Sequence, residues 1–417
     1  LVPATALAQP VALTLDEAVT RGLAASARLE EARARERAAA AQVDGRQAQA
    51  RPTVGLQTGY LRTNHVDEFG VVRPDGSLNV LFPDIPDNIR LRAELLYPVW
   101  TAGRTTALTE AASADAGAAA ADTRVAEADL ALEIAAVYWQ LVTARAAVAV
   151  LDDALTRADA WVRDVQARVD AGVSSPHEVP QAAAQRARQR VQQLQAAQAA
   201  AMAERELVRL TGLPPGTTVT TVTPVETAAE GADRLTLASA SSVYGQALES
   251  RAERTALDRR AAAFRAAARA AWSSTRPQVG ALAAIEPARP NARFVPRTAT
   301  WHVSWDLGVT LTWSLWDGGR ARADRAAAMA QAAALEHRQR EFDSRLEVEI
   351  TQRLSDLDTG RAAVAASAEA VAAAAEVHRV MRVRFDAGVA TSTEVLDAHV
   401  AWLEAALEQT RLQASLR

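Results

Sequence analysis

The sequence predicts a mainly α-helical chain carrying a transmembrane β-sheet, built as one helix–strand–strand–long helix–helix unit written twice. Three observations carry that prediction: a duplication at a fixed offset, a heptad seam too long for a globular domain, and a strand that alternates apolar and polar side chains without exception. Arg168-Val-Asp-Ala-Gly-Val-Ser-Ser-Pro-His-Glu-Val179 recurs as Arg384-Phe-Asp-Ala-Gly-Val-Ala-Thr-Ser-Thr-Glu-Val395, 216 residues further on. Trp100-Thr-Ala-Gly-Arg104 recurs at the same offset as Trp316-Asp-Gly-Gly-Arg320, and Arg51-Pro-Thr-Val-Gly55 recurs as Arg276-Pro-Gln-Val-Gly280. Landmarks repeated in one order mark two copies of one structural unit.

Composition narrows the function. The 417 residues carry a net charge of −4, which argues against a nucleic-acid partner. Hydrophobic residues make up 49% but aromatics only 5%; the difference is mostly alanine, which favours helix yet fills little volume. With no Cys, a disulfide scaffold, a thiolate metal site and a Cys nucleophile are excluded. Residues 1–12 read as an N-terminal tail in which Ala6-Leu7-Ala8 before Gln9 has the pattern of a signal-peptide remnant. No segment approaches the ~20 apolar residues of a transmembrane helix, so a membrane span has to be made of strands.

The first unit covers 13–212. A helix starts at Leu13-Thr-Leu-Asp-Glu-Ala, with Thr14 or Asp16 as cap, and runs to about Gln49, where Pro52 and Gly55 end it. Strands follow at about 53–62 and 90–99, separated by a loop holding Pro74, Gly76, Pro83 and Pro86. Between Ala102 and Ala171 one long helix is expected, with Leu130, Ile134, Val137, Leu141, Val148, Leu151, Leu155, Val162, Val165 and Val169 as its seam. It turns at a tip over about 171–176, where Gly172 suits a left-handed cap. Ser174 or Ser175 then starts a helix running from about Pro176 to Leu210. Residues 213–236 form an irregular equatorial linker. The second unit, 237–417, repeats the plan: a helix over about 237–272, strands at about 277–286 and 303–315, a long helix from 320, a tip at about 387–393 around Gly388, and a final helix. A helix of about 70 residues spans ~105 Å. Two helices of about half that length stacked end to end match it, a layout suited to a tube or rod and not to a globule.

The strands decide between tube and rod. In 303–315 the odd positions are Val303, Trp305, Leu307, Val309, Leu311, Trp313 and Leu315, and the even ones are Ser304, Asp306, Gly308, Thr310, Thr312 and Ser314. Trp305 and Trp313 lie ~26 Å apart along a strand, roughly 20 Å of rise after tilting, which matches an apolar band between aromatic girdles. Leu91, Ala93, Leu95, Tyr97 and Val99 make a weaker apolar face, and so do Val54, Leu56, Thr58 and Tyr60. Tyr60, Tyr97, Trp305 and Trp313 are the candidate interface aromatics. Four strands cannot close a barrel or leave bare edges in lipid, so several protomers must share one; three would supply twelve strands.

This layout resembles the TolC-type outer membrane efflux proteins. The resemblance covers nearly the whole chain and rests on the ordered, duplicated set: the Leu13 helix start, Arg-Pro before each first strand, Trp-x-x-Gly-Arg into each long helix, and Arg-x-Asp-Ala-Gly-Val…Glu-Val at each tip. It implies a homotrimer whose twelve-stranded β-barrel sits in outer-membrane lipid and joins a long α-helical barrel in the periplasm. Such a protein is the passive exit duct of a tripartite efflux pump or a type I secretion system, working with a periplasmic adaptor and an inner-membrane transporter. By the same resemblance, Glu394 and Asp397 form the acidic ring of the periplasmic gate, with pKa values raised by mutual repulsion. Gly172, Val173, Ser174, Gly388, Val389 and Ala390 are the adaptor-contacting tips. Glu394 and Asp397 are three apart and share a helix face; the plain alternative is that they complement a helix N-terminus.

No phosphate-binding loop, zinc-protease motif or nucleophile elbow is present, and the six His show no ligand-like helical spacing. No enzymatic activity, cofactor or metal is expected. The competing reading is a soluble coiled-coil scaffold or the periplasmic adaptor itself, although an adaptor has one hairpin tip and this chain has two.

Overall fold

The computed structural model describes residues 10–222 and 240–416. In chain order the elements are β1 (Val11–Leu13), α1 (Leu15–Ala25), α2 (Ala27–Ala48), β2 (Thr53–Arg62), β3 (Phe69–Val72), β4 (Leu78–Phe82), β5 (Asp87–Trp100), α3 (Arg104–Asp170), α4 (Glu178–Leu210), β6 (Val219–Thr221), α5 (Ala240–Ser250), α6 (Ala252–Ser273), β7 (Gln278–Arg289), β8 (His302–Thr312), α7 (Arg320–Asp386) and α8 (Ser392–Ser415). The two long helices have 67 residues each, and both of their ends keep the offset of 216.

Several expectations need correction. The first helix is two: the chain breaks at Ser26, whose Oγ accepts from Leu29 N at 3.3 Å and restarts the helix. The helix expected over 237–272 is likewise divided, at Arg251. The loop between β2 and β5 holds a hairpin, β3–β4, closed at Asp75-Gly76-Ser77. There Asp75 accepts from the Ser77 amide at 3.0 Å, and Gly76 takes φ 78°. The linker is not irregular throughout, because Val219–Thr221 pairs in parallel with Val11–Leu13. The supposed tail therefore ends in a strand. Residues 1–9 of that tail and 223–236 of the linker lie outside the described residues. Finally, α3 does contain a window of mean hydropathy 1.6, apolar enough to cross a membrane by length and composition. Alanine makes such a window apolar without making it bulky.

The chain divides into two compact units, and each draws on both halves of the duplication. The first comprises residues up to 32, 123–252 and 342–417. Its core joins Leu13, Ala18 and Leu29 to Leu130, Ile134, Tyr138 and Leu141 of α3 and Leu207 of α4. The buried Tyr138 hydroxyl donates to the Leu13 carbonyl at 3.0 Å, tying β1 to the long helix. Close packing requires Gly22, since a Cβ there would stand 2.3 Å from Ile134 Cδ1. Further along, the seam of α3 is Leu151, Ala154, Ala158, Trp161 and Val165, all buried at three- and four-residue spacing. Ala154, Ala158 and Trp161 were not in the expected seam; Leu155 and Val162 lie at its margin.

The second unit comprises 33–122 and 253–341. In α6 the buried residues are mostly alanine (Ala256, Ala261, Ala263, Ala266, Ala268, Ala270), which allows close helix approach. Arginines flank that stripe: Arg260 pairs with Asp122, Arg265 with Glu336 at 2.6 Å, and Arg269 with Glu110 at 2.5 Å. The same unit carries a four-stranded antiparallel sheet in the order β2-β5-β7-β8.

Candidate functional site

The sheet exposes its apolar face. Directly paired residues share a face, so register places Leu56 with Ala93, Ala93 with Ile285, and Ile285 with Trp305. Leu56 is 72% exposed, Trp305 70%, Leu307 76% and Val309 75%. The other face carries charge: Arg92 reaches Glu286 at 3.0 Å, Asp306 at 3.3 Å and Glu94 at 3.4 Å, and Arg293 also bonds Asp306. A water-soluble sheet has the opposite arrangement. β2 and β8 each have an unpaired edge among the described residues.

The four interface aromatics separate along the strands. Tyr60 pairs with Ile89 toward the end where β2 leads into the β3–β4 loop, and Tyr97 pairs with Ala281 toward the helical end, while Trp305, opposite Ile285 and through it Ala93, lies midway between them in register. Trp313 is at that helical end too, but the strand expected to reach 315 stops at Thr312. The Trp313 indole instead donates to the Thr275 carbonyl at 3.1 Å, just before β7, and so locks the strand exit.

Both tips, in the first unit, turn by the same device. At the first, Val173 N donates to Arg168 O at 2.9 Å and Gly172 N to Val169 O at 2.9 Å. At the second, Val389 N donates to Arg384 O at 2.9 Å and Gly388 N to Phe385 O at 3.0 Å. This is the paired-bond glycine cap, with Gly172 at φ 73° and Gly388 at φ 74°. Val173 and Val389 are exposed, Ser174 and Ala390 half-buried. The tips are joined to each other. Arg168 donates to Asp386 at 2.6 Å and lies over the Phe385 ring at 4.4 Å, and Gln181 Nε2 donates to Thr393 Oγ1 at 3.0 Å.

Glu394 and Asp397 are both exposed on one side of α8, opposite the buried Val395, Leu396, Ala398 and His399. Glu394 has a second task. Its carboxylate accepts from Thr391 N at 2.7 Å and Thr391 Oγ1 at 2.9 Å, while Thr391 Oγ1 accepts from Glu394 N. This reciprocal cap starts the helix. Within the protomer the Thr391 amide and hydroxyl therefore hold the Glu394 carboxyl below its ordinary range, with Arg384 adding to the effect. The repulsion expected to raise carboxylate pKa values acts between copies around an axis, whereas these cap bonds are made inside one chain. In the first half, Ser175 N donates to Glu178 at 3.3 Å, but neither Ser174 nor Ser175 is the N-cap: α4 begins at Glu178 after His177.

Sequence reasoning missed three groups. The Thr391-x-x-Glu394 box is a readable signature, as is Thr14-x-x-Glu17 at α1. The Arg92 cluster depends on strand register, which no local pattern gives. His378 and His399 lie on different helices with ring centroids 5.1 Å apart, so their spacing in sequence carries no signal.

A profile described as outer membrane efflux protein matches residues 19–213 and 243–417. The chain belongs to that family. Solved structures agree in fold. The outer membrane protein VceC from Vibrio cholerae matches with a TM-score of 0.80 at 20% identity, covering 96% of this chain and 92% of that one. The outer-membrane channel OprN gives 0.77 at 20% identity, with 96% and 87% covered. The open-state MtrE outer membrane channel of Neisseria gonorrhoeae gives 0.70 at 17% identity, with 96% and 87% covered. A direct sequence comparison with curated proteins gives no match. This family member is an outer-membrane protein with a periplasmic helical extension. Its family is one of channels and not of enzymes, and those channels work with periplasmic adaptors and inner-membrane pumps.

Proposed function

We propose that three copies of this chain close a twelve-stranded barrel in the outer membrane and form the passive exit duct of a tripartite efflux pump or type I secretion system. The observation that carries this is the exposed apolar face of a sheet with two unpaired edges among the described residues. In lipid, apolar side chains belong outside and every strand edge must be paired, and a shared barrel meets both needs. Tyr60 at one end, with Tyr97 and Trp313 at the other, serve as its aromatic girdles, and Trp305 stands on the lipid face between them. The exposed tips Gly172–Ser174 and Gly388–Ala390 receive the periplasmic adaptor, which is coupled to an inner-membrane transporter. Three copies of Glu394 and Asp397 line the periplasmic mouth and favour cations.

The first test is membrane fractionation followed by mass determination in mild detergent, where an outer-membrane species of three protomers is expected. A monomer in the membrane fraction, or a soluble dimer, would sink the shared barrel. The gate is tested separately by single-channel recording. Asp397→Asn, which leaves the Thr391 cap intact, is expected to weaken cation selectivity and block by divalent cations. Unchanged selectivity in Asp397→Asn and in Glu394→Gln removes the acidic ring.

A further inference from the structure

Near the tips, the turns of α3, α4, α7 and α8 enclose a cavity of about 100 Å³. Three side chains on its wall are more than nine-tenths buried: Gln189 at 1% exposure, His399 at 6% and Trp161 at 9%. Both amide atoms of Gln189, Nε2 of His399 and Nε1 of Trp161 have no hydrogen-bond partner among the described residues. Each such group, left unpaired, forfeits the hydrogen bonds water would have given it. Native interiors hold few of them, and here they share one cavity.

Charge on the wall is already compensated. Arg157 bonds Asp153 at 2.5 Å and lies over Trp402 at 4.6 Å, Arg186 pairs with Asp159, and Arg382 stands 4.0 Å from Asp164. Among the described residues, each arginine lining the cavity thus already faces a carboxylate. Burial pushes His399 down to about 4, with His378 and Arg157 adding to it, so its ring is neutral at neutral pH and Nε2 can donate or accept. Ala158, Ala182, Val395 and Leu396 supply the apolar part of the wall, Gln185 adds a further amide whose Oε1 accepts from Arg188 at 3.0 Å, and the adjoining rings of His378 and Trp161 are flat.

Size and chemistry together narrow the guest. An apolar cavity of about 150 Å³ takes benzene, and a water's share of liquid volume is about 30 Å³. A space of about 100 Å³ thus suits a five-membered ring or a few waters. A guest that only donates leaves the Trp161 N–H unanswered, and one that only accepts leaves Gln189 Oε1 unanswered. We propose that this cavity is a binding site for a small neutral azole, a flat ring bearing one hydrogen-bond donor and one acceptor. The site lies within one protomer and does not depend on the duct reading.

The test uses pyrazole and the full chain in detergent at neutral pH, followed by saturation-transfer NMR. For so few atoms the expected Kd is on the order of 0.1–10 mM. Furan has the same shape without a donor and is expected to bind about tenfold more weakly. Gln189→Leu, which removes the paired donor and acceptor, and Ala182→Leu, which fills the space, should each weaken pyrazole by about tenfold or more. Absence of saturable pyrazole binding overturns the proposal and leaves a hydrated cavity. Equal binding of furan and pyrazole to the unaltered protein overturns it even where neither variant folds.

Discussion

Arg168 of the first tip donates to Asp386 of the second at 2.6 Å, and the symmetric counterparts are used differently. Asp170, which corresponds to Asp386, accepts from Gln166 at 2.8 Å, and Arg384, which corresponds to Arg168, acts on Glu394. Two copies of one motif thus make a single asymmetric clasp. The ion pair is mostly exposed on the Asp386 side and contributes at most about 1 kcal/mol. Arg168 also covers the Phe385 ring. Arg168→Ala is therefore expected to lower the denaturation midpoint more than Asp386→Asn does; equal effects in chemical denaturation mean that the ring contact adds nothing.

The glycines divide into two kinds. A Cβ on Gly388 meets nothing within 4 Å, so Gly388→Ala costs only its left-handed backbone, about 1 kcal/mol. Gly22→Ala collides with Ile134 and is expected to cost about 1–3 kcal/mol through overpacking. An Ile134→Val partner should relieve Gly22→Ala and leave Gly388→Ala unchanged. Thermal melting of the four variants reads this.

Acid should weaken the first unit in two stages. His399, facing His378, Arg157, Asp153 and Arg382, is depressed to about 4, and His378 is depressed too. Folded stability from these neutral rings is complete above the ordinary histidine value near 6.5. It is lost as pH falls toward 4, because the unfolded chain takes up protons first; for His399 this is on the order of 3 kcal/mol. Glu17 and Glu394, both lowered by cap bonds, add a second loss below the ordinary carboxylate value. His399→Phe should flatten the melting profile between pH 6.5 and 4, and a profile as steep as that of the unaltered protein would falsify this account.

Lipid exposure should distinguish neighbouring positions of β8. Leu307 lies on the outward apolar face and Thr310 on the face of Asp306. Leu307→Arg is expected to cost about 2–4 kcal/mol of insertion if it sits at the bilayer midplane, and Thr310→Arg close to none. Folding into lipid vesicles, followed by the gel shift of the folded form, measures both. Similar losses at the two positions would contradict an outward lipid face.

Much of this was legible in the chain because the signals are local or repeated. The offset of 216 located both long helices, and β8 declared its faces by parity from Val303 to Leu311. What the sequence hid depends on partners distant in the chain. β3–β4 occupies a stretch whose prolines read as loop, and β6 is three residues held by β1, by Glu204 and Arg145 on the Val219 backbone, and by the core around Val219. At the candidate gate, the shared face of Glu394 and Asp397 follows from spacing, and the Thr391-x-x-Glu394 cap is equally local. His399, Gln189 and Trp161 come from three helices, and nothing in their spacing announces that they meet.

The equal lengths of α3 and α7 act as a gauge. Each residue added to a helix advances its end by 1.5 Å and turns it by about 100°. Seven residues inserted into α7 alone would carry Asp386 ~10 Å past Arg168 while keeping it on the same face. The clasp would open although every heptad contact kept its register. A matched insertion in both helices would preserve it, so the length of one helix is free to change only in step with the other.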